Sequence, residues 1–473
     1  MTDTVTYLLP VETTARELDY KLLIAARLRA PHRRFILCRD DLAPELLGLV
    51  HRGIYIGQNI RSRAGLAATN ERYANLRAAG FRLMHLDEEG AIYAGDETEW
   101  AHWVRQRLGA ISVRSPDMMM TWGAFQARVL HETPGVDPAT VVTSGHPRFD
   151  LCQAYLRVYD EEAAALRRQY GDFVLCNTNF GTGNSVLGSK TFFSTVEGYQ
   201  TANRAQRLAF VRDWRASACG APAFVALIHE ICDEFPQVHF VIRPHPVEDH
   251  ELYRVTTRGL KNVSVDARGS VIPYLAACRA MIHNGCTTAL EGSLAGARVL
   301  TYSPPEFERG STWITNIFGQ QCHSAREVCE KLQQSGTAQS DAFTAIPAAD
   351  RARVGTLIRQ LEEGYTPGTA LEHVVRCAAE MELGLDKHAS RLPLRRLRAA
   401  GIEHAARSKV FRHIERFARI VRRGGRAGIA RRNAQKFTGF SQDALHRRAD
   451  AFGRLFGQSL RVHVLSTTMA ILE

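Results

Sequence analysis

Three short segments carry residue types that can do chemistry on a phosphate ester: Arg243-Pro-His-Pro246, His283-Asn-Gly-Cys-Thr-Thr-Ala-Leu-Glu291 and Asp87-Glu-Glu-Gly90. In the first, the apolar run Phe240-Val-Ile stops abruptly at Arg, Pro, His and Pro. Each proline fixes its own φ and biases its predecessor toward extended geometry, so Arg243 and His245 would be held out beside Pro246 at a strand end. A guanidinium and an imidazole there can grip a nucleotide phosphate and protonate or polarise a leaving phosphoryl oxygen. The plainer alternative is a strand exit whose polar side chains meet solvent.

In the second segment another apolar strand, Ala280-Met-Ile, runs into Asn284 and Gly285 and then a helix. Gly285 permits a sharp turn, and Thr287 or Thr288 can cap the helix. N–H groups at a helix start attract phosphate, and Glu291, one turn in, can accept from ribose hydroxyls. An ordinary βα turn with a threonine cap would look the same. In the third segment Asp87, Glu88 or Glu89 can deprotonate an acceptor hydroxyl, adjacent carboxylates raising one another's pKa. A charged surface loop is the alternative there. Further candidates are Glu12 and Arg16, lining a cleft or pairing at a helix start. Arg148 reads as a hinge anchor with Asp150 that can reach a phosphate or an acidic sugar, and Asn177 and Asn179 as strand-end groups near the donor.

The elements that must position these residues alternate between strand and helix. Strand patterns fall at residues 5–9, 34–37, 53–56, 82–86, 110–113 and 141–143, with helical patterns between them. A second series starts at 172–177 and continues through 238–242, 263–265, 280–282 and 298–302. A Gly- and Asn-rich loop, residues 179–185, reads as the separator of the two series. Two doubly wound α/β sheets follow, with ligands expected beyond the carboxyl ends of their strands. The division expected is 1–170 for the acceptor side, 171–348 for the nucleotide-sugar side, and 349–473 as a helical, basic tail.

At 473 residues, 45% hydrophobic and 23% charged, the composition excludes a disordered chain. The ten cysteines are scattered with no CxxC pair, which reads as reduced thiols rather than a zinc site. No Asp-x-Asp metal motif occurs, and no metal or cofactor beyond the sugar donor is expected. A membrane-spanning apolar run and a signal peptide are both missing, so the cytoplasm or its membrane face is expected. The net charge of +11 concentrates between Lys387 and Arg448, where basic residues interleave with apolar ones. That pattern suits amphipathic helices on an anionic membrane surface, or simply a solvated face; nucleic acid is not expected.

Together the three motifs resemble those of bacterial transferases that use CMP-activated sialic acid or Kdo. Those carry an acidic D/E-D/E-G motif, an H-P motif and a Ser/Thr pair, matched here by Asp87-Glu-Glu-Gly90, His245-Pro246 and Thr287-Thr288. Over roughly residues 5–305 the chain is also similar to the family of surface carbohydrate biosynthesis proteins. The matching segments are Leu8-Leu-Pro-Val-Glu12 with Arg16-Glu17, Trp122-Gly-Ala-Phe-Gln126, Gly145-His-Pro-Arg-Phe-Asp150 and Asn177-Thr-Asn179. The Gly-x-Pro-Arg-Phe-Asp segment resembles one in CDP-glycerol-type polyol-phosphate transferases as well.

The resemblance implies a GT-B arrangement, two Rossmann-like domains facing a cleft. It implies a metal-independent glycosyltransferase that moves an acidic sugar from a CMP-sugar to a hydroxyl of a surface polysaccharide or lipopolysaccharide. Glu88 would then be the base, His245 would bind the CMP phosphate and assist its departure, and the threonines would hold that phosphate. A CDP-polyol phosphotransferase or a UDP-amino-sugar epimerase of the same fold stays open. So does a non-catalytic scaffold that binds nucleotide sugars.

Overall fold

The computed structural model describes all residues except 1–3, 59–65, 91–95, 110, 112, 194–198, 200–203, 305–313, 335–345, 386–392 and 422–425. Its first six strands are β1 (Val5–Val11), β2 (Arg33–Arg39), β3 (Gly53–Ile56), β4 (Phe81–Leu86), β5 (Met118–Thr121) and β6 (Val141–Thr143). The next six are β7 (Phe173–Asn177), β8 (His239–Arg243), β9 (Val263–Val265), β10 (Ala280–His283), β11 (Val299–Tyr302) and β12 (Gln320–Cys322). Two more close the chain, β13 (Val462–Ser466) and β14 (Met469–Leu472). β1 and β7 are apolar almost throughout because parallel strands covered on both faces have no solvated side.

The strands form two sheets, ordered β13-β14-β2-β1-β3-β4-β5-β6 and β12-β11-β10-β7-β8-β9. The second is parallel throughout and has the Rossmann order, reversing between β7 and β10. In the first sheet β1 to β6 are parallel and the order reverses between β1 and β3. A crevice opens beyond the strand ends at each reversal, so the segments after β1, β3, β7 and β10 are where ligands gather. The two Rossmann-like sheets expected from the strand–helix alternation are present.

Alternate residues of the second sheet serve different cores. Val174, Cys176, Phe240 and Ile242 pack with Phe224, Leu227 and Ile231 of the helix Arg204–Glu234. Phe173, Leu175, Val241 and Met281 join an apolar core that runs through Tyr159 and Leu166 into the first sheet. The two sheets therefore share buried contacts as well as a chain connection.

Three expectations need correction. The strand read at residues 110–113 is not formed at Ile111 or Val113, and positions 110 and 112 lie outside the described residues; the strand is Met118–Thr121. The loop of residues 179–185 does not separate the domains; it follows β7 inside the second sheet. The segment beyond residue 349 is not a helical tail. β14 pairs antiparallel with β2, and β13 with β14, extending the first sheet.

The helix Thr369–Leu383 is also built into that domain. Glu382 accepts from Tyr7 Oη (2.7 Å) and Arg33 Nε (2.7 Å), and Asp150 accepts from the Leu371 N–H (2.8 Å). No described helix is long and apolar enough to cross a membrane. In the helix Leu394–Val421 and on to Arg426, much of the basic surface read from the sequence lies outside the described side chains.

Because Met469, Ala470, Ile471 and Leu472 are all buried against the sheet, removing residues 458–473 is expected to unfold the first domain. A circular-dichroism melt decides this. A truncated chain that melts cooperatively at the temperature of the full one would show the hairpin to be dispensable.

Candidate active site between the sheets

β4 ends at Leu86, and the acidic turn follows at once. The Asp87 carboxylate is buried, accepting from Arg107 Nη2 (2.9 Å) and Gln126 Nε2 (3.1 Å). Its backbone carbonyl accepts from the Trp122 indole (2.5 Å), and Trp122 N–H donates to Gln126 Oε1 (2.7 Å). The Trp122-Gly-Ala-Phe-Gln126 segment is thus the frame that locks the turn in place. A Cβ on Gly90 would fall 2.3 Å from the Trp122 ring, so only glycine fits there.

Glu88 points inward. Its carboxylate accepts from the Tyr20 hydroxyl and from Arg148 Nη1 (3.4 Å), with Arg16 Nε and His146 Nε2 each 3.7 Å away. Burial opposes its ionisation, but His146, Arg16 and Arg148 act on it together and hold the carboxyl well below the usual range. Burial keeps His146 itself below the ordinary histidine range, so the two arginines supply the fixed positive charge. Glu89 is the acid left partly open, its side chain 36% exposed, with Arg107 Nη1 at 2.6 Å and Arg16 Nη1 at 3.7 Å. Burial works against it too, yet Arg107 and then Arg16 hold it down to about 2.

Two expectations fail here. Glu88 and Glu89 are held down rather than raised, because the cationic partners of each outweigh repulsion from neighbouring acids. Glu88, chosen as the base, is buried among its own partners, and Glu89 is the more exposed of the two.

Beyond β8, Arg243 donates to the carbonyl of Arg268 (2.9 Å) and to that of Gly269, and lies 4.9 Å over the Tyr274 ring. Those bonds hold the loop after β9 and commit both terminal nitrogens of the guanidinium to backbone carbonyls. His245 is half-buried, with Pro246 beside it at the same strand exit. Its Nδ1 accepts from the Val247 N–H (3.3 Å), which leaves the proton on Nε2. Burial pushes the imidazole down to about 4, assisted by the charges of Lys436 and Arg16 and opposed by Glu89. Burial thus favours the neutral imidazole with its proton on Nε2. Glu248, which the sequence reading missed, accepts from the His245 N–H (3.1 Å) and Thr178 Oγ1 (2.8 Å) and shapes the turn.

At the reversal of the second sheet, Gly285 adopts φ +63 and its N–H donates to Asn316 Oδ1 (2.8 Å). Asn284 Nδ2 donates to the Tyr302 carbonyl (2.7 Å) and Asn179 Nδ2 to the Gly285 carbonyl (2.8 Å). Asn177 Nδ2 donates to Thr288 Oγ1 (2.9 Å). Thr287 stands at the helix N-cap with αR dihedrals and makes no side-chain cap, contrary to expectation. Glu291 faces Arg148 Nε at 3.4 Å, and burial raises its carboxyl while Arg148 and Arg16 oppose the rise.

Arg148 thus lies between Glu88 of the first sheet and Glu291 of the second, only 3% of its side chain exposed. Its Nε and Nη2, and His146 Nε2, make no hydrogen bond among the described residues. Arg16 binds Glu17 (3.1 Å) besides Glu88 and Glu89, and Glu12 pairs with Lys436 Nζ (2.5 Å).

Tyr20, His146, Glu17, Glu248 and Lys436 complete the site without having been singled out. Tyr20 follows Arg16 by one helical turn and so shares its face, a signal that was present. Lys436 gave none. The described residues hold no cluster of His, Cys, Asp or Glu arranged for a metal ion.

No protein-family model matches the chain, and no curated protein matches it in sequence. Among solved structures it is similar to the UDP-GlcNAc 2-epimerase of Methanocaldococcus jannaschii, with a TM-score of 0.47 at 11% identity over 80% of this chain and 99% of that one. The Neisseria meningitidis UDP-GlcNAc 2-epimerase gives 0.43 at 11%, over 80% and 100%. The wall teichoic acid polymerase TagF gives 0.43 at 8%, over 81% and 90%. With each of these scores below 0.5 the likeness is distant.

Two outcomes test this geometry. Gly90→Ala should cost about 1–3 kcal/mol in denaturant unfolding, since backbone or the locked Trp122 ring must shift. Gly171→Ala meets no atom and serves as a control for crowding, carrying only the strain of its own φ of +68. The His245 imidazole should titrate near 4 by NMR. Since the unfolded chain takes that proton first, near its ordinary value of about 6.5, this group lowers stability as pH falls through that interval. A measured value near 6.5 would refute the assignment.

Proposed function

We propose that this chain is a nucleotide-sugar-dependent glycosyltransferase of bacterial surface-carbohydrate synthesis. In this reading it moves an acidic sugar from a CMP-linked donor to a hydroxyl of a surface polysaccharide or lipopolysaccharide. It works in the cytoplasm or at the inner face of the membrane. The observation that carries the reading is that Arg148 faces both Glu88 of the acidic turn and Glu291 beside the reversal of the second sheet, each at 3.4 Å. The acidic turn of the first sheet and the helix start of the second therefore face one another, as transfer from a phosphate to a hydroxyl requires.

The division of labour we propose is as follows. The nucleotide sits at the reversal of the second sheet, beside Asn177, Asn179, Gly285, Thr287 and Thr288. His245 donates its Nε2 proton as a hydrogen bond to the departing phosphate. Glu89 accepts the acceptor hydroxyl's proton late, as that oxygen gains positive charge, because a carboxylate held near 2 is a weak base toward a neutral alcohol. Phosphate charge is met by protein donors, without a metal or other cofactor.

A thermal-shift panel of CMP, CDP, UDP and GDP tests the donor, because a ligand of the native state raises its melting temperature. CMP alone should stabilise the protein, and preference for UDP or GDP would overturn the CMP reading in favour of an epimerase or another donor. Glu89→Gln should keep nucleotide binding while turnover falls roughly 10²–10⁴-fold. Unchanged cellular function in that variant would instead indicate a non-catalytic scaffold.

A further inference from the structure

We infer that Lys436, from the C-terminal segment, is a phosphate-binding residue of the interdomain site. The inference rests on the nucleotide reading above and names a contact that neither the motifs nor the sheet ends contain. A phosphate in a partly dry crevice needs cationic donors. Arg243, the cation nearest to the histidine in sequence, is engaged with two backbone carbonyls and the face of Tyr274. Another cation has to serve.

The helix Arg426–Lys436 crosses from one sheet to the other at this place. Arg431 Nη1 pairs with Asp249 Oδ1 at 3.1 Å, and Gln435 Nε2 donates to the Glu248 carbonyl at 3.3 Å. Both acceptors lie in the turn that carries His245. At its end, Lys436 Nζ reaches Glu12 Oε1 at 2.5 Å, and the Lys436 carbonyl accepts from Thr14 Oγ1 at 3.3 Å. Glu12 directly follows β1, at the reversal of the first sheet, where that sheet's crevice opens. Five polar contacts, the last from Thr438 N–H to Thr14 Oγ1 (3.4 Å), fix the ammonium between the two strand-end regions.

Its surroundings fit the role. The Lys436 side chain is 16% exposed, so the ammonium is held yet not sealed off. An ammonium has three donors, and the bond to Glu12 uses one. Its charge acts on both His245 and Glu89, the two groups assigned to the leaving phosphate and the acceptor. Basic residues of the C-terminal segment thus have a use within the site, apart from any membrane surface.

Binding of CMP, UDP, cytidine and uridine to the full-length chain, by isothermal titration, tests this. Lys436→Gln should weaken whichever nucleotide the parent binds by about tenfold or more, and leave the matching nucleoside within about twofold. Lys436→Arg should restore most of the loss, and the melting temperatures of all three proteins should agree. Equal nucleotide affinity in Lys436→Gln overturns the inference and leaves the functional reading intact. Parallel loss of nucleotide and nucleoside overturns it too, by assigning Lys436 a structural role. A parent protein that binds neither CMP nor UDP overturns the functional reading, and this inference with it.

Discussion

Arg148 is buried between two carboxylates that belong to different sheets, Glu88 at 3.4 Å and Glu291 at 3.4 Å, and the rest of the site is arranged around that fact. Taking three charges out of water is costly, and their mutual attraction offsets that cost only when each is held in place by further contacts. Those contacts exist here. Tyr20 and Arg16 hold Glu88, Trp122 and Phe149 stack on the guanidinium at 5.2 and 4.9 Å, and Asp87 is locked by the same tryptophan. The arrangement confers specificity of orientation more than stability: it defines where one sheet stands relative to the other, and so how far His245 lies from the acidic turn.

The same constraint explains why the most chemical-looking residues turned out to be architectural. Glu88 and Arg243 sit at strand ends with reactive groups, but each meets enough fixed partners to satisfy it. The side chains beside them keep some exposure, Glu89 next to Glu88 and His245 next to Arg243. Anchor residues and more exposed ones thus alternate along each strand exit. Preorganised donors of low mobility are what such sites need.

The C-terminal segment serves the same end. After the second sheet the chain returns to the first domain, covers it with the helix Thr369–Leu383 and adds two strands to its edge. On the way it lays the helix Arg426–Lys436 across both sheets. The domains are therefore joined by a buried ion chain, a shared apolar core and a strap.

The strand–helix alternation, the positions of nearly all strands in the two parallel series, and the strand-end location of every motif were legible from local pattern alone. Periodicity and the turn chemistry of Gly and Pro are local properties, so they survive without knowledge of the fold. β13 and β14 were missed because their partner, β2, lies at the other end of the chain, and no local signal tells a strand that joins a distant edge from a short apolar stretch. The residues that touch, and the charges they carry, were decided only by tertiary packing. Asp87, Glu88 and Glu89 are adjacent in sequence, yet arginines from three separate segments and one tryptophan assign them different burial and different partners. Electrostatics depends on distance in space and on excluded water, and neither is written in sequence spacing.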